Sequence, residues 1–342
     1  MNLQEPRYAE FGLVKDMLAT PDIVAKFDTQ QMTDTAAAIA KVGKLLMTGE
    51  GSSRIFPAKH AIKVAMQRGC DLRLHTEAGK QAQAYNLADW AVFALSNSGR
   101  TAEVIQLFDQ LAKTDHPHRY SLAAFADTKL QSLATKGYVL NCGPEGAVAA
   151  TKSVIEQALF YQALIEHTAG ALTLDKHLAD LAAAMRTALT ADIPAEITQK
   201  VADARIICFA GRNDGVAEEL TLKTNEITRK PSDFFEGTYG AHGVEEVLTA
   251  DDVVIWIDPY DDQEDKFHEV LVEGVGLTII AISSRDTRFP TIKIPEAPGN
   301  GDLNGYVQMA AGWSLLVEVG LHLGINLDKP ERARKVGNEF VG

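Results

Sequence analysis

Apolar positions along the chain alternate between two patterns. Short, nearly continuous apolar runs lie at Lys44–Thr48, Trp90–Leu95, Arg205–Ala210, Val253–Ile257 and Leu277–Ser283, as expected of strands buried on both faces. Weaker strand signals fall at Cys70–Thr76, Tyr120–Ala126, Tyr138–Asn141 and Thr291–Ile294. Between them run stretches of helical spacing: 102–113 (AEVIQLFDQLAK), about 151–168, 216–230 (VAEELTLKTNEITRK), 266–275 (KFHEVLVEGV) and 303–323. This alternation predicts an α/β fold of parallel sheets with helices on both faces, three layers deep.

The order runs through twice. Lys44–Thr48 leads into the Gly turn GEGSSR (49–54) and a helix, and Arg205–Ala210 leads into GRNDG (211–215) and a helix. We therefore expect two tandem doubly wound domains at residues 35–170 and 203–325. An N-terminal helical segment (1–34), a helical connector (171–202) and a C-terminal tail (326–342) complete the chain. Ligands of such sheets bind at the carboxyl ends of the strands.

One such end is rich in donors. The apolar run 90–95 passes into Ser96-Asn97-Ser98-Gly99-Arg100-Thr101 and then a helix. The first N–H groups of a helix lack internal partners and carry the positive end of its dipole, so the turn suits an anion. Helix capping needs one hydroxyl. Ser96, Asn97, Ser98 and Thr101 exceed that need, and Gly99 allows close backbone approach to a ligand. The counterpart in the second half, DPYDDQED (258–265), carries five carboxylates, which repel phosphate. The first half is thus the expected phosphate-binding half.

Composition narrows the partners. With 342 residues, 46% apolar content and a formal charge of −13, the chain offers no basic field for nucleic acid. No apolar stretch has the length of a membrane span, and the N-terminus lacks a signal-peptide pattern. Cys70, Cys142 and Cys208 have no metal-ligand spacing and read as reduced thiols, so a cytoplasmic location is expected. GRNDG does not complete a dinucleotide fingerprint, and neither a cofactor nor a metal is expected.

Five segments in order carry a resemblance: GEGSS (49–53), SNSGRTAE (96–103), EGAVAATK (145–152), NEI with GAHG (225–227 and 240–243), and LDKPERARKV (327–336). Through them the chain resembles the double SIS (sugar isomerase) domain family, with its flavodoxin-like domains, and in particular the isomerase half of glucosamine-6-phosphate synthase. The resemblance implies phosphate binding by Ser53, Ser96, Asn97, Ser98 and Thr101, and sugar contacts from Gly51, Ser52, Val148 and Ala150. Many family members have serine where this chain has Ala150. It further implies Glu226 as the carboxylate that shuttles a proton, His242, sixteen residues later, as the ring-opening group, and Lys335 as a Schiff-base lysine. In the synthase this histidine comes from the partner subunit, which implies a homodimer.

The implied reaction is aldose–ketose isomerisation of a hexose or amino-hexose 6-phosphate by ring opening and C1/C2 proton transfer. Without a glutaminase domain, it extends to deamination, as in glucosamine-6-phosphate deaminases, or to deglycation. Read without the family, Glu226 is a solvated helix residue paired with Lys223 or Arg229, His242 a polar residue before a helix at 244–250, and Lys335 part of a solvated tail. Arg54 and Arg100 flank the hydroxyls and suit a phosphate, a sulfonate or surface carboxylates. A non-catalytic sugar-phosphate sensor and an isomerase of a sulfonated sugar are the alternative functions.

Overall fold

A computed structural model describes residues 1–341. In chain order the first half contains α1 (Gly12–Ala25), α2 (Thr33–Val42), β1 (Lys44–Gly49), α3 (Ile55–Gln67), β2 (Arg73–Ala78), β3 (Ala91–Leu95), α4 (Ala102–Lys113), β4 (Arg119–Ala123), β5 (Lys136–Val139) and α5 (Lys152–Thr168). The second contains α6 (Leu178–Thr190), α7 (Ala195–Asp203), β6 (Ile207–Gly211), α8 (Val216–Thr228), β7 (Ser232–Glu236), β8 (Val253–Ile257), β9 (Thr278–Ser283), β10 (Thr291–Lys293) and α9 (Asn304–His322). All strand pairings are parallel, in the orders β2-β1-β3-β4-β5 and β7-β6-β8-β9-β10. The two sheets therefore have one topology, the doubly wound flavodoxin-like order anticipated from the repeated pattern. Two elements depart from it. β7 has too few apolar residues to register as a strand, and residues 268–275 wind as a π-helix.

Strand periodicity explains the layers. In the first sheet, Leu46, Val92 and Ala94 pack with Val104, Ile105 and Phe108 of α4. Phe93 turns to the opposite face, where its ring lies 5.4 Å from those of Phe160 and Tyr161 on α5, and the Tyr161 hydroxyl donates to its carbonyl at 2.9 Å. In the second sheet, Cys208, Ala210, Val254 and Trp256 share a cluster with Phe267 and Leu271, and the Trp256 ring stacks on Phe267 at 3.8 Å. Each fully buried aromatic of this kind contributes about 1.5–3 kcal/mol relative to exposure.

The chain divides into two compact units. One comprises Asp22–Glu145, Ala150–Ala179 and Arg332–Gly342 around the first sheet; the other comprises Met1–Pro21, Gly146–Ala149 and Asp180–Glu331 around the second. The N-terminal segment, connector and tail are thus shared between the units. A helix of α1's length is marginal alone in water and needs tertiary partners. Leu13, Val14 and Met17 are buried, and the Asp328 carboxylate accepts from the Gly12 and Leu13 N–H groups, both at 2.8 Å, capping the helix start.

Candidate functional site

In the first-sheet unit, the loops after β1 and β3 carry the predicted phosphate ligands. These strands are adjacent, and the chain leaves them toward opposite faces, so their carboxyl ends form the switch-point crevice of the sheet. At Gly49 a Cβ would lie 2.8 Å from the Ser53 carbonyl and 2.9 Å from that of Leu95, so glycine alone lets the two loops approach.

The hydroxyls there share one arrangement. Ser96 Oγ accepts from the Gly99 N–H at 3.1 Å and lies 3.0 Å from Thr101 Oγ1; whichever of the two donates, one proton is left over. Ser98 Oγ accepts from the Arg100 N–H at 3.1 Å, and Ser53 Oγ accepts from Gln157 Nε2 at 3.4 Å. Ser53, Ser98 and the Ser96–Thr101 pair therefore each have one proton available. Asn97 Nδ2 and Arg54 Nε are buried donors without an acceptor among the described residues. A set of donors short of acceptors fits an anion.

Gly99 is required in this loop for a reason of its own. Its φ is +63°, and a Cβ would fall 2.4 Å from Thr128 Oγ1, so backbone handedness and packing require glycine. Arg100 turns to Glu339 of the tail at 3.1 Å, away from the role of anion ligand. That ion pair belongs to a strap. Asn338 O accepts from the Ala102 N–H, the Phe340 N–H donates to Arg100 O, and Thr101 and Glu339 form an isolated antiparallel bridge. Lys335 sits three residues before this anchor, with its side chain exposed. Ala150 lies in the same unit, ahead of α5, whose start is held by Glu145 accepting from the Thr151 and Ser153 N–H groups. Gly51 has φ +53° in the turn after β1, next to Ser52.

The second-sheet unit contains Glu226, His242 and Val148. Glu226 lies on α8, 2.5 Å from the ammonium of Lys223, whose side chain is 0% exposed. Lys223 also reaches Glu219, equally buried, at 3.3 Å. Burial alone would depress the lysine's pKa, but Glu226 and Glu219 outweigh it and hold the pKa above the ordinary lysine value. The pairing of Glu226 with Lys223 is present, and Lys223 itself is buried. The available signal was the spacing 219, 223, 226, which places all three on one helix face. Arg229 donates to the Glu226 carbonyl, not to its carboxylate.

His242 is exposed at the end of the short turn Tyr239–Ala241, and Val244–Val247 is a 3₁₀ turn where a helix was expected. Val148 donates its N–H to the Asp328 carbonyl at 3.2 Å. At the switch point of the second sheet, Arg212 donates to the Asp258 carboxylate at 2.9 Å and stacks 4.4 Å over the Tyr260 ring. Arg285 pairs with Asp261 and Glu264, and Arg288 with Asp265, so four of the loop's five carboxylates meet the protein's own arginines.

Fold and loops define a doubly wound α/β protein whose first switch point is rich in hydrogen-bond donors. Residues 38–167 match the family model described as SIS domain. Its fold is similar to the C-terminal domain of glucosamine-fructose-6-phosphate aminotransferase from Francisella tularensis (18% identity, TM-score 0.77, covering 94% of this chain and 98% of that one). It is also similar to glucosamine-6-phosphate deaminase from Thermotoga maritima (20%, 0.75, 95% and 99%) and tagatose-6-phosphate ketose/aldose isomerase from Escherichia coli (16%, 0.75, 95% and 97%). No curated protein matches the chain in sequence. No helix among the described residues is long and apolar enough to cross a membrane.

Proposed function

We propose that the chain is an isomerase of a hexose or amino-hexose 6-phosphate. The observation that carries this reading is the donor set at the first switch point, where Ser53, Ser98 and the Ser96–Thr101 pair all have a proton to give and Asn97 Nδ2 has no acceptor. A dianionic phosphate supplies the missing acceptors and anchors the sugar for reaction at its other end. Glu226, on its Lys223 support, carries the proton between C1 and C2, and His242 gives and takes the proton that opens the ring. Lys335, on the tail, forms the Schiff base with the open-chain ketose in this reading. Exposed Tyr239 and Val247 flank His242 on the surface, which supports a second copy of the chain covering this face, with His242 reaching the partner's site.

The test is a panel of hexose and amino-hexose 6-phosphates in deuterated water, followed by NMR at C2 and by ammonia release. Exchange at C2 with isomerisation is the expected result, and ammonia release on an amino sugar would assign a deaminase. Binding without any C2 exchange would replace the isomerase with a sensor. Tight binding of sulfonated analogues alone would replace the phosphate.

A further inference from the structure

Gln157, beside the anion loops, is a side chain whose chemistry runs against its location. It lies on α5 with no exposed surface, among the buried Val154, Ala158 and Tyr161. Its Nε2 donates to Ser53 Oγ at 3.4 Å, and its Oε1 is buried with no partner among the described residues. An unpaired buried carbonyl costs stability, and methionine would fill the same length without that cost.

The cost has a counterpart in the geometry of the other hydroxyls. Ser96 and Ser98 are each held by a backbone N–H, from Gly99 and Arg100, which occupies a lone pair; Ser98 keeps its proton to give, and the Ser96–Thr101 pair keeps one between them. Ser53 has no such backbone donor; the Gln157 amide takes that place. A serine hydroxyl rotates freely unless a partner fixes it. We propose that Gln157 is a positioning residue for the anion, holding Ser53 Oγ as an acceptor so that its proton points to the bound phosphate. The proposal rests on the sugar-phosphate reading and assigns the residue that completes its donor set.

Kd for fructose 6-phosphate and glucose 6-phosphate, measured by calorimetry on the whole chain, together with Tm in the absence of ligand, tests it. Gln157→Met is expected to keep or raise Tm while weakening binding roughly 10- to 150-fold, the loss of one oriented hydrogen bond to a charged group. Gln157→Glu weakens binding further, because its carboxylate takes the Ser53 proton and opposes the anion. In a Ser53→Ala background, Gln157→Met should have no further effect on Kd. Wild-type affinity in either single variant overturns the proposal, as does a loss of affinity matched by a fall in Tm, or full additivity with Ser53→Ala. Failure of the wild-type chain to bind any sugar phosphate removes the functional reading along with it, whereas wild-type binding indifferent to Gln157 removes this inference alone.

Discussion

The ammonium of Lys223 lies 2.5 Å from the Glu226 carboxylate with none of its side chain exposed, and Glu219 closes its other side at 3.3 Å. One buried cation thus serves two carboxylates, one of them partly open to solvent at 27%. Glu226 is held in place by a charge that cannot be removed without exposing another to the core.

Lys223→Met therefore leaves Glu219 as an uncompensated buried charge and should cost about 3–5 kcal/mol. Pairing it with Glu219→Gln should recover most of that loss. Urea denaturation of the two single variants and the double variant at neutral pH measures the coupling, and additive losses would mean the two groups do not act as a pair.

Gly99→Ala should distort the anion loop rather than only stiffen it. The φ of +63° and the Thr128 contact both oppose a Cβ, at a combined cost on the order of 1–3 kcal/mol. The expected result is weaker sugar-phosphate binding, read by calorimetry. Thr128→Gly in the same chain, which removes the Cβ 2.5 Å away as well as the hydroxyl, should restore only the steric part.

If His242 acts across a dimer, two inactive chains complement each other. Equal mixtures of Glu226→Gln and His242→Asn chains, refolded together, should regain about a quarter of wild-type activity, because half the dimers are mixed and each has one intact site. Sites formed within single chains would regain none.

His60 is buried against Gln162, and burial, reinforced by Lys63, pushes its pKa down to about 3 from an ordinary 6.5. The folded protein keeps this imidazole neutral while the unfolded chain protonates it. Stability is therefore fully present above 6.5 and falls as pH drops from 6.5 toward 3, by on the order of a few kcal/mol. His60→Gln should flatten the slope of unfolding free energy against pH over that window, measured by denaturant titrations at successive pH values.

Much of the fold was legible because it depends on local pattern. Runs such as Val253–Ile257 announce strands buried on both faces, and their alternation with helical spacing predicts the parallel, doubly wound order found twice. β7 was not legible: its SDFFE is polar at the ends and owes its strand state to pairing with β6. Among the candidate site residues, the hydroxyls of 96–101 were readable as a dense local motif, since a strand-to-helix turn brings neighbours in sequence to one place. Residues recruited from elsewhere were not. Gln157 meets Ser53 across a sequence separation of 104 residues, and Arg100 finds Glu339 across 239. Glu219 and Lys223 were visible as letters, but whether a charged helix face meets water or core depends on what packs against it. By itself the sequence determined which segments become strands and helices and where a cluster of hydroxyls falls, because these follow from periodicity and short-range geometry. Only the tertiary structure decided which charges are buried, which hydroxyl protons remain free, and which arginine is already taken, because desolvation and hydrogen-bond pairing are set by neighbours distant in the chain.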